Sequence, residues 1–451
     1  MALTVLGESV AIGLHSPAAA VATVAWYGSM FAILAWWRFP VALIGLVVAL
    51  PLITIETGFG DVRKTLSADK VALAVVCGMW MVRRVPWIWR ELARVRAVGC
   101  WGVFLGIQML SVARNGLTVG EAWGVARDAV SAIVFIAALD QFADPESRTT
   151  ALSAGGVAAG LVAALAIVEW VGQRLGHPMV FYFKHGTMLD ERVAGSTIGH
   201  VNFLGAYLSL LTLASAGAWL ASRGRRRRVA LASCILGVLA LLYARSMGAW
   251  LGLVAGAGVV AWCVRGDSSD RVRRSALLAV LAVFAIGGTV IAAKAQQSPN
   301  SFGVRLSAYR IGLAALADRP LLGYGADGYA REYYRYEERV FGRALTEFRK
   351  PQDKLSAHSS FLDVAVDRGL LGLAAFVTVL GVLLVPAFRV CSGRQNEERL
   401  VLAGVLAGML AFTAQALTEN LFEFSKVAAL FWIMAAMLVR LTETVAARPA
   451  D

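Results

Sequence analysis

The chain has 451 residues, 58% of them hydrophobic, a mean hydropathy of +0.65 and a formal net charge of +13. That apolar content excludes a soluble globular domain. The charge, carried mostly by arginine in short loops between apolar runs, argues against nucleic-acid binding because loop position already accounts for it.

Apolar runs of about 17–25 residues are long enough to cross a bilayer as helix, and in hydrocarbon each backbone polar group must be paired within its own segment. Such runs fall at 20–37, 39–56, 69–83, 97–113, 121–140, 151–172, 198–221, 228–244, 247–264, 275–294, 359–388, 399–418 and 424–445. They predict an all-α polytopic membrane protein with thirteen crossings, or twelve if 20–56 holds a single one. The short alternating strands of an outer-membrane barrel are absent. The chain divides into an N-terminal part of the bundle (1–294), a long polar loop (295–358), and C-terminal crossings with a tail (359–451). No internal repeat stands out, and no removable signal peptide is expected, since the first residues lack a basic region and a small-residue cleavage site.

Basic clusters at Arg83-Arg84, Arg90 to Arg96, Arg223 to Arg228, Arg265 to Arg274 and Arg389 to Arg399 mark cytoplasmic loops, where they would meet anionic lipid headgroups. Alternation then sends loops 173–197, 243–248, 295–358 and 418–424 to the outer face. The 295–358 loop is itself rich in arginine, against the charge rule. Long loops cross regardless of charge, so basic residues kept on the outer face call for another role.

Four outer-face features carry candidate chemistry. The first runs from Glu191 and Arg192 through Gly195 and Gly199 to His200, Asn202 and Tyr207, from a loop into a helix. Its glycines also suit plain helix packing, with Arg192 snorkelling to the surface. The second is the tight turn around Arg245, which is either an interfacial anchor or a cation facing a partner at membrane depth. The third places Arg305, Tyr309 and Gly312 on one side of a helix, followed by a compact turn from Pro320 through Gly323 and Gly325. The Gly323-x-Gly325-x-x-Gly328 run has no preceding strand, so a dinucleotide site is unsupported.

The fourth is His358, where the long loop meets an apolar helix. A lone histidine there is often a cap or a packed residue. Beside arginines it becomes a candidate base, because imidazole titrates near neutrality and guanidinium matches phosphate geometry while staying charged. No DxD carboxylate pair and no metal-ligand set is legible, so a metal-dependent transferase is disfavoured and no cofactor is expected. The five cysteines form no CxxC pair, which argues against a metal or redox site. Glu419, Asp363 and Asp367 are the nearby acids, expected in supporting roles at most.

In order and spacing these segments resemble the O-antigen ligase superfamily, which takes in lipid A-core ligases and Wzy-type polymerases. The resemblance rests on Arg192, Gly195, Asn202 and Tyr207; on Ala244-Arg245-Ser246 to Trp250; on Arg305 with Tyr309; on Pro320 to Gly325; on His358 to Leu362; and on Gly369 to Leu373. It covers roughly residues 180–425 and departs mildly at Ser359 and His200. The family implies a GT-C-like fold in a bacterial inner membrane, with a periplasmic active site. It implies transfer of a glycan from undecaprenyl diphosphate to an acceptor hydroxyl, without metal and with inversion. The acceptor would be lipid A-core for a ligase, slightly favoured by the basic loop, or a second lipid-linked glycan for a polymerase. Carried onto this chain, His358 would be the base. Arg192, Arg245 and Arg305 would hold the diphosphate, Asn202 and Tyr309 would support them, and the long loop would be a lid. An anion transporter of the bicarbonate kind is a further alternative, although polar groups gathered at one face suit surface chemistry better than a midplane site.

Overall fold

The structure, a computed structural model, describes residues 17–52, 55–58, 65–92, 95–177, 183–184, 195–264, 299–342, 356–391 and 396–447, with part of 274–289. In chain order the first helices are α1 (Pro17–Trp37), α2 (Phe39–Ala49), α3 (Ala68–Leu92), α4 (Arg96–Asn115), α5 (Val119–Gln141) and α6 (Pro145–Arg174). A short 3-10 turn, Ser196–Ile198, leads into α7 (Val201–Ala221), α8 (Gly224–Ala244) and α9 (Met247–Val264). The long polar loop holds α10 (Pro299–Asp318) and α11 (Gly328–Phe341), and α12 (Ser360–Cys391), α13 (Glu397–Ala416) and α14 (Ser425–Ala446) complete the chain.

Eight of these, α4 to α8 and α12 to α14, are long and apolar enough to cross a membrane. Shorter apolar helices stand at Val24–Trp37, Phe39–Ala49 and Met247–Cys263, and the expected crossing at 275–294 lies largely outside the described residues. The expected crossing at 39–56 is corrected. Its helix stops at Ala49, just before Pro51, whose missing N–H cannot continue the ladder. The chain then forms β1 (Ile55–Gly58), which pairs antiparallel with β2 (Thr65–Ser67) and parallel with β3 (Phe183–Lys184). The described residues are therefore helical apart from this small three-stranded sheet. Strands of two to four residues carry no readable period, and the β1–β3 pairing depends on a partner far away in the chain.

The bundle is built around α7, α13 and α14, whose side chains are buried almost throughout. α13 lies against both α7 and α9. Gly404 and Gly408, four residues apart, let its backbone meet α7: a Cβ on Gly404 would stand 2.7 Å from the Gly217 Cα. On the other side Gly252 and Gly256 face Ala411 and Ala407 equally closely. Between helices in lipid there is little hydrophobic driving force, so association depends on such small-residue contacts.

The predicted crossing 359–388 is present as the long apolar α12, and within it the backbone is broken at Gly369 (φ 67°, ψ −174°). The Pro320–Gly325 turn docks into that break. Tyr324 N–H donates to Val366 O (2.9 Å), Gly325 N–H to Asp367 O (2.8 Å), and Leu370 N–H to Pro320 O (2.7 Å). A Cβ on Gly369 would lie 2.1 Å from the Leu321 carbonyl oxygen, so only glycine permits this approach. The Asp367 carboxylate accepts from the backbone N–H of Asp327 (3.2 Å) and Tyr329 (3.3 Å), capping α11 from another element. α10 and α11 close over a second small core that includes Ile311, Tyr324, Tyr329, Tyr333 and Tyr336 with Val366 of α12. The helix–turn–helix is thus fastened to α12 a few residues from His358, and its glycine run serves docking.

Candidate active site

The start of α7, the end of α8, the start of α12 and the end of α13 come together at one end of the bundle, while the basic cluster 223–228, Arg389 and Arg399 lie at the other. At the first end the short loop between α13 and α14 supplies Glu419, 5% exposed, and the site is arranged around its carboxylate. Asn202 Nδ2 donates to Glu419 Oε1 at 2.7 Å, and Arg305 Nη2 bonds the same oxygen. His358 Nδ1 stands 3.9 Å from Oε2, at ion-pair distance. Three residues expected at the site from different parts of the chain therefore meet at one acid.

Each is held by its own local structure. Asn202 sits in the first turn of α7, and its carbonyl accepts from Gln415 Nε2 (2.7 Å). Arg305 and Tyr309, one helical turn apart on α10, face the same loop: Arg305 Nε donates to Thr418 O (3.4 Å) and Tyr309 O–H to Leu417 O (3.0 Å). Tyr309 O–H also reaches the His358 carbonyl at 3.3 Å. Ser360 ties the start of α12 to the loop, its N–H and Oγ both donating to Glu419 O (3.2 and 3.0 Å). His358 itself lies just before α12 with φ 49°. Left-handed backbone on a residue other than glycine is uncommon and costs about 1–3 kcal/mol, so the surrounding contacts must hold it there.

Arg245 is the left-handed C-cap of α8 (φ 51°), exposed at the same end. The turn that follows reaches the Glu419 loop, since a Cβ on Gly248 would meet Thr418 Oγ1 at 2.8 Å. Among the described residues Ser196 (φ 48°) and Asp327 (φ 56°) are the other non-glycine positions with positive φ. Arg192 lies outside the described residues. The segment it leads into is anchored by buried charges: Ser196 N–H donates to the Glu169 carboxylate (2.7 Å) and Lys426 Nζ donates to Thr197 O (3.0 Å).

Electrostatics centre on Glu419. Burial pushes its carboxyl up, but the His358 and Arg305 groups facing it more than offset that and hold it below the ordinary carboxylate value. A depressed folded pKa means the pair contributes stability that is complete above the unfolded value, near 4.5, and is lost as pH falls through the folded one. The melting temperature of the wild type should therefore exceed that of Glu419→Gln by a constant margin above about pH 4.5, and the margin should close on further acidification. A margin that stayed constant through the carboxylate range would show that the charge of Glu419 contributes nothing.

From sequence Glu419 is expected only in a supporting role, whereas it is the hub. Its signal is a Thr-Glu-Asn polar triplet between two apolar helices. A largely half-buried network beside the site has no counterpart among the expected residues. Asp128 pairs with Arg368 and with Arg127 (3.1 Å), which also faces Glu423 (3.5 Å) in the Glu419 loop. Ionisable residues inside apolar runs, such as Arg127, Asp128 and Glu169, are the clue that points to it. Among the described residues no group of three His, Cys, Asp or Glu side chains forms a metal-ligand set.

Residues 232–377 match the model of the family described as O-antigen ligase. That stretch holds Arg245, Arg305, Tyr309 and His358, while Asn202 and Glu419 lie to either side of it. No curated protein matches the chain.

Proposed function

We propose that this chain, a multi-pass membrane protein of the O-antigen ligase superfamily, transfers a glycan from undecaprenyl diphosphate to an acceptor sugar hydroxyl at the periplasmic face of a bacterial inner membrane. The observation that carries the reading is the convergence of His358, Arg305 and Asn202 on Glu419 at one end of the bundle. Glu419 facing Nδ1 favours the tautomer with the proton on that nitrogen. The Nε2 lone pair is then left to take a proton.

In the proposed step the acceptor hydroxyl gives its proton to His358 Nε2 and its oxygen attacks the anomeric carbon. The bond from that carbon to the phosphate oxygen breaks, and the diphosphate leaves with the electron pair. A single displacement inverts the configuration. Glu419 stabilises the imidazolium that forms, as a carboxylate beside a general base does. Arg305 and Arg245 stabilise charge developing on the leaving diphosphate, and Arg192 is assigned the same role by the resemblance. Both substrates are held at the membrane surface, which supplies proximity and orientation. No step requires a metal or cofactor.

A ligase, with lipid A-core as acceptor, is the preferred form. The exposed Arg331, Arg335 and Arg339 line one stripe of α11, where they face Glu332 and Asp318, and a phosphorylated acceptor would compete for them. A Wzy-type polymerase shares the chemistry and differs in acceptor. Deleting the gene and resolving lipopolysaccharide and undecaprenyl-linked glycans separates the readings. Long polymer left on undecaprenyl diphosphate with bare lipid A-core indicates a ligase, and single repeats alone indicate a polymerase. Normal glycan pools would overturn transfer and favour anion transport.

A further inference from the structure

Beside the trio lies a second imidazole with a fixed hydrogen-bonding state. His200 is the N-cap of α7, and its Nδ1 accepts the backbone N–H of Asn202 at 3.2 Å. In a neutral ring whose Nδ1 accepts, the proton resides on Nε2, so the outer nitrogen is a donor. Among the described residues no hydrogen-bond partner for that nitrogen is found. The ring is oriented by Phe203, 5.2 Å between centroids, which in turn stacks on Phe424 at 4.4 Å. Its edge reaches solvent, and it lies within electrostatic reach of Glu419, His358 and Arg305. Desolvation of the ring disfavours the charged form, and His358 and Arg305 add to this while Glu419 opposes it, so the imidazole titrates below its ordinary value.

We infer that His200 is a substrate-binding residue, a neutral N–H donor aimed at an oxygen of the lipid-linked glycan diphosphate held at this site. The inference rests on the transferase reading and adds a contact to it. Arginines attract the diphosphate through charge from many directions. A neutral donor with a fixed vector instead selects one oxygen, either a hydroxyl of the first sugar or a phosphate oxygen. The backbone cap prevents the ring from flipping without losing the Asn202 bond, so the donor is preorganised.

The test measures binding of two probes to the purified full-length protein in nanodiscs: undecaprenyl diphosphate alone, and undecaprenyl diphosphate bearing one hexose. His200→Asn keeps a good N-cap but does not reach the Nε2 position. It should weaken binding about 2–10-fold, the value of one neutral hydrogen bond, with an unchanged melting temperature. His200→Gln, whose amide nitrogen reaches further, should restore part of the loss. Weakening confined to the hexose probe assigns the contact to a sugar hydroxyl, and equal weakening of both assigns it to the diphosphate. Wild-type affinity of His200→Asn for both probes overturns the contact and leaves the transferase reading standing. A wild-type protein that binds neither probe removes both.

Discussion

His358→Asn should lower glycan transfer by about 10²–10⁴-fold, the usual contribution of a positioned general base. Asparagine is the informative replacement because His358 has φ 49°, a conformation that asparagine tolerates far better than a β-branched residue does. The backbone before α12 is then preserved, and the Tyr309 bond to the carbonyl of residue 358 can persist. The imidazole is lost, both its proton-accepting Nε2 and the Nδ1 that faces Glu419. The measurement is the initial rate of transfer in proteoliposomes, with the melting temperature alongside. A rate within a few fold of wild type would remove the base from the mechanism and leave the imidazole as a partner of Glu419 only.

Arg305→Ala should cost about 10²–10³-fold in transfer rate, the scale for removing one donor from a site that stabilises developing negative charge. It should also disturb the base. Arg305 and Asn202 share Glu419 Oε1, and without the guanidinium the buried carboxylate loses its main cation. Its pKa then moves up toward what burial alone dictates, and its ability to orient and stabilise His358 weakens with it. Arg305→Lys distinguishes the two contributions. Lysine keeps the charge, but a single ammonium does not reproduce the fork that serves Thr418 O and Glu419 Oε1 together. Recovery of most of the rate by lysine would assign Arg305 to charge alone. Continued loss would assign it to the geometry of the pair.

Much of this arrangement is legible in the order of residues. Hydropathy and arginine placement sort the loops between two ends, and the described helix ends agree: Asn202, Arg245, His358 and Glu419 lie together, away from Arg225 and Arg399. The spacing of Arg305 and Tyr309 puts both on one face of α10, the face turned to the Glu419 loop. Those readings work because a bilayer demands long apolar helices and because helical period is local. The departures share one cause. The 39–56 run reads as a crossing because leucine and valine look alike in a helix and before a turn, and the β1–β3 pairing joins segments more than a hundred residues apart. The break at Gly369 is likewise invisible in hydropathy, since its partner is a turn from another segment.

Apolar run length, charge and period are local properties, and they suffice to make this a helical membrane protein. They also settle which loops share a face, and which basic and titratable side chains that face offers. Three further outcomes depend on the folded arrangement: Glu419 joins those side chains, the Pro320–Gly325 turn docks in α12, and the His200 ring is fixed by the Asn202 N–H it accepts. The first two require close backbone approach or a hydrogen bond between distant segments, which packing settles and the order of residues along any one helix does not.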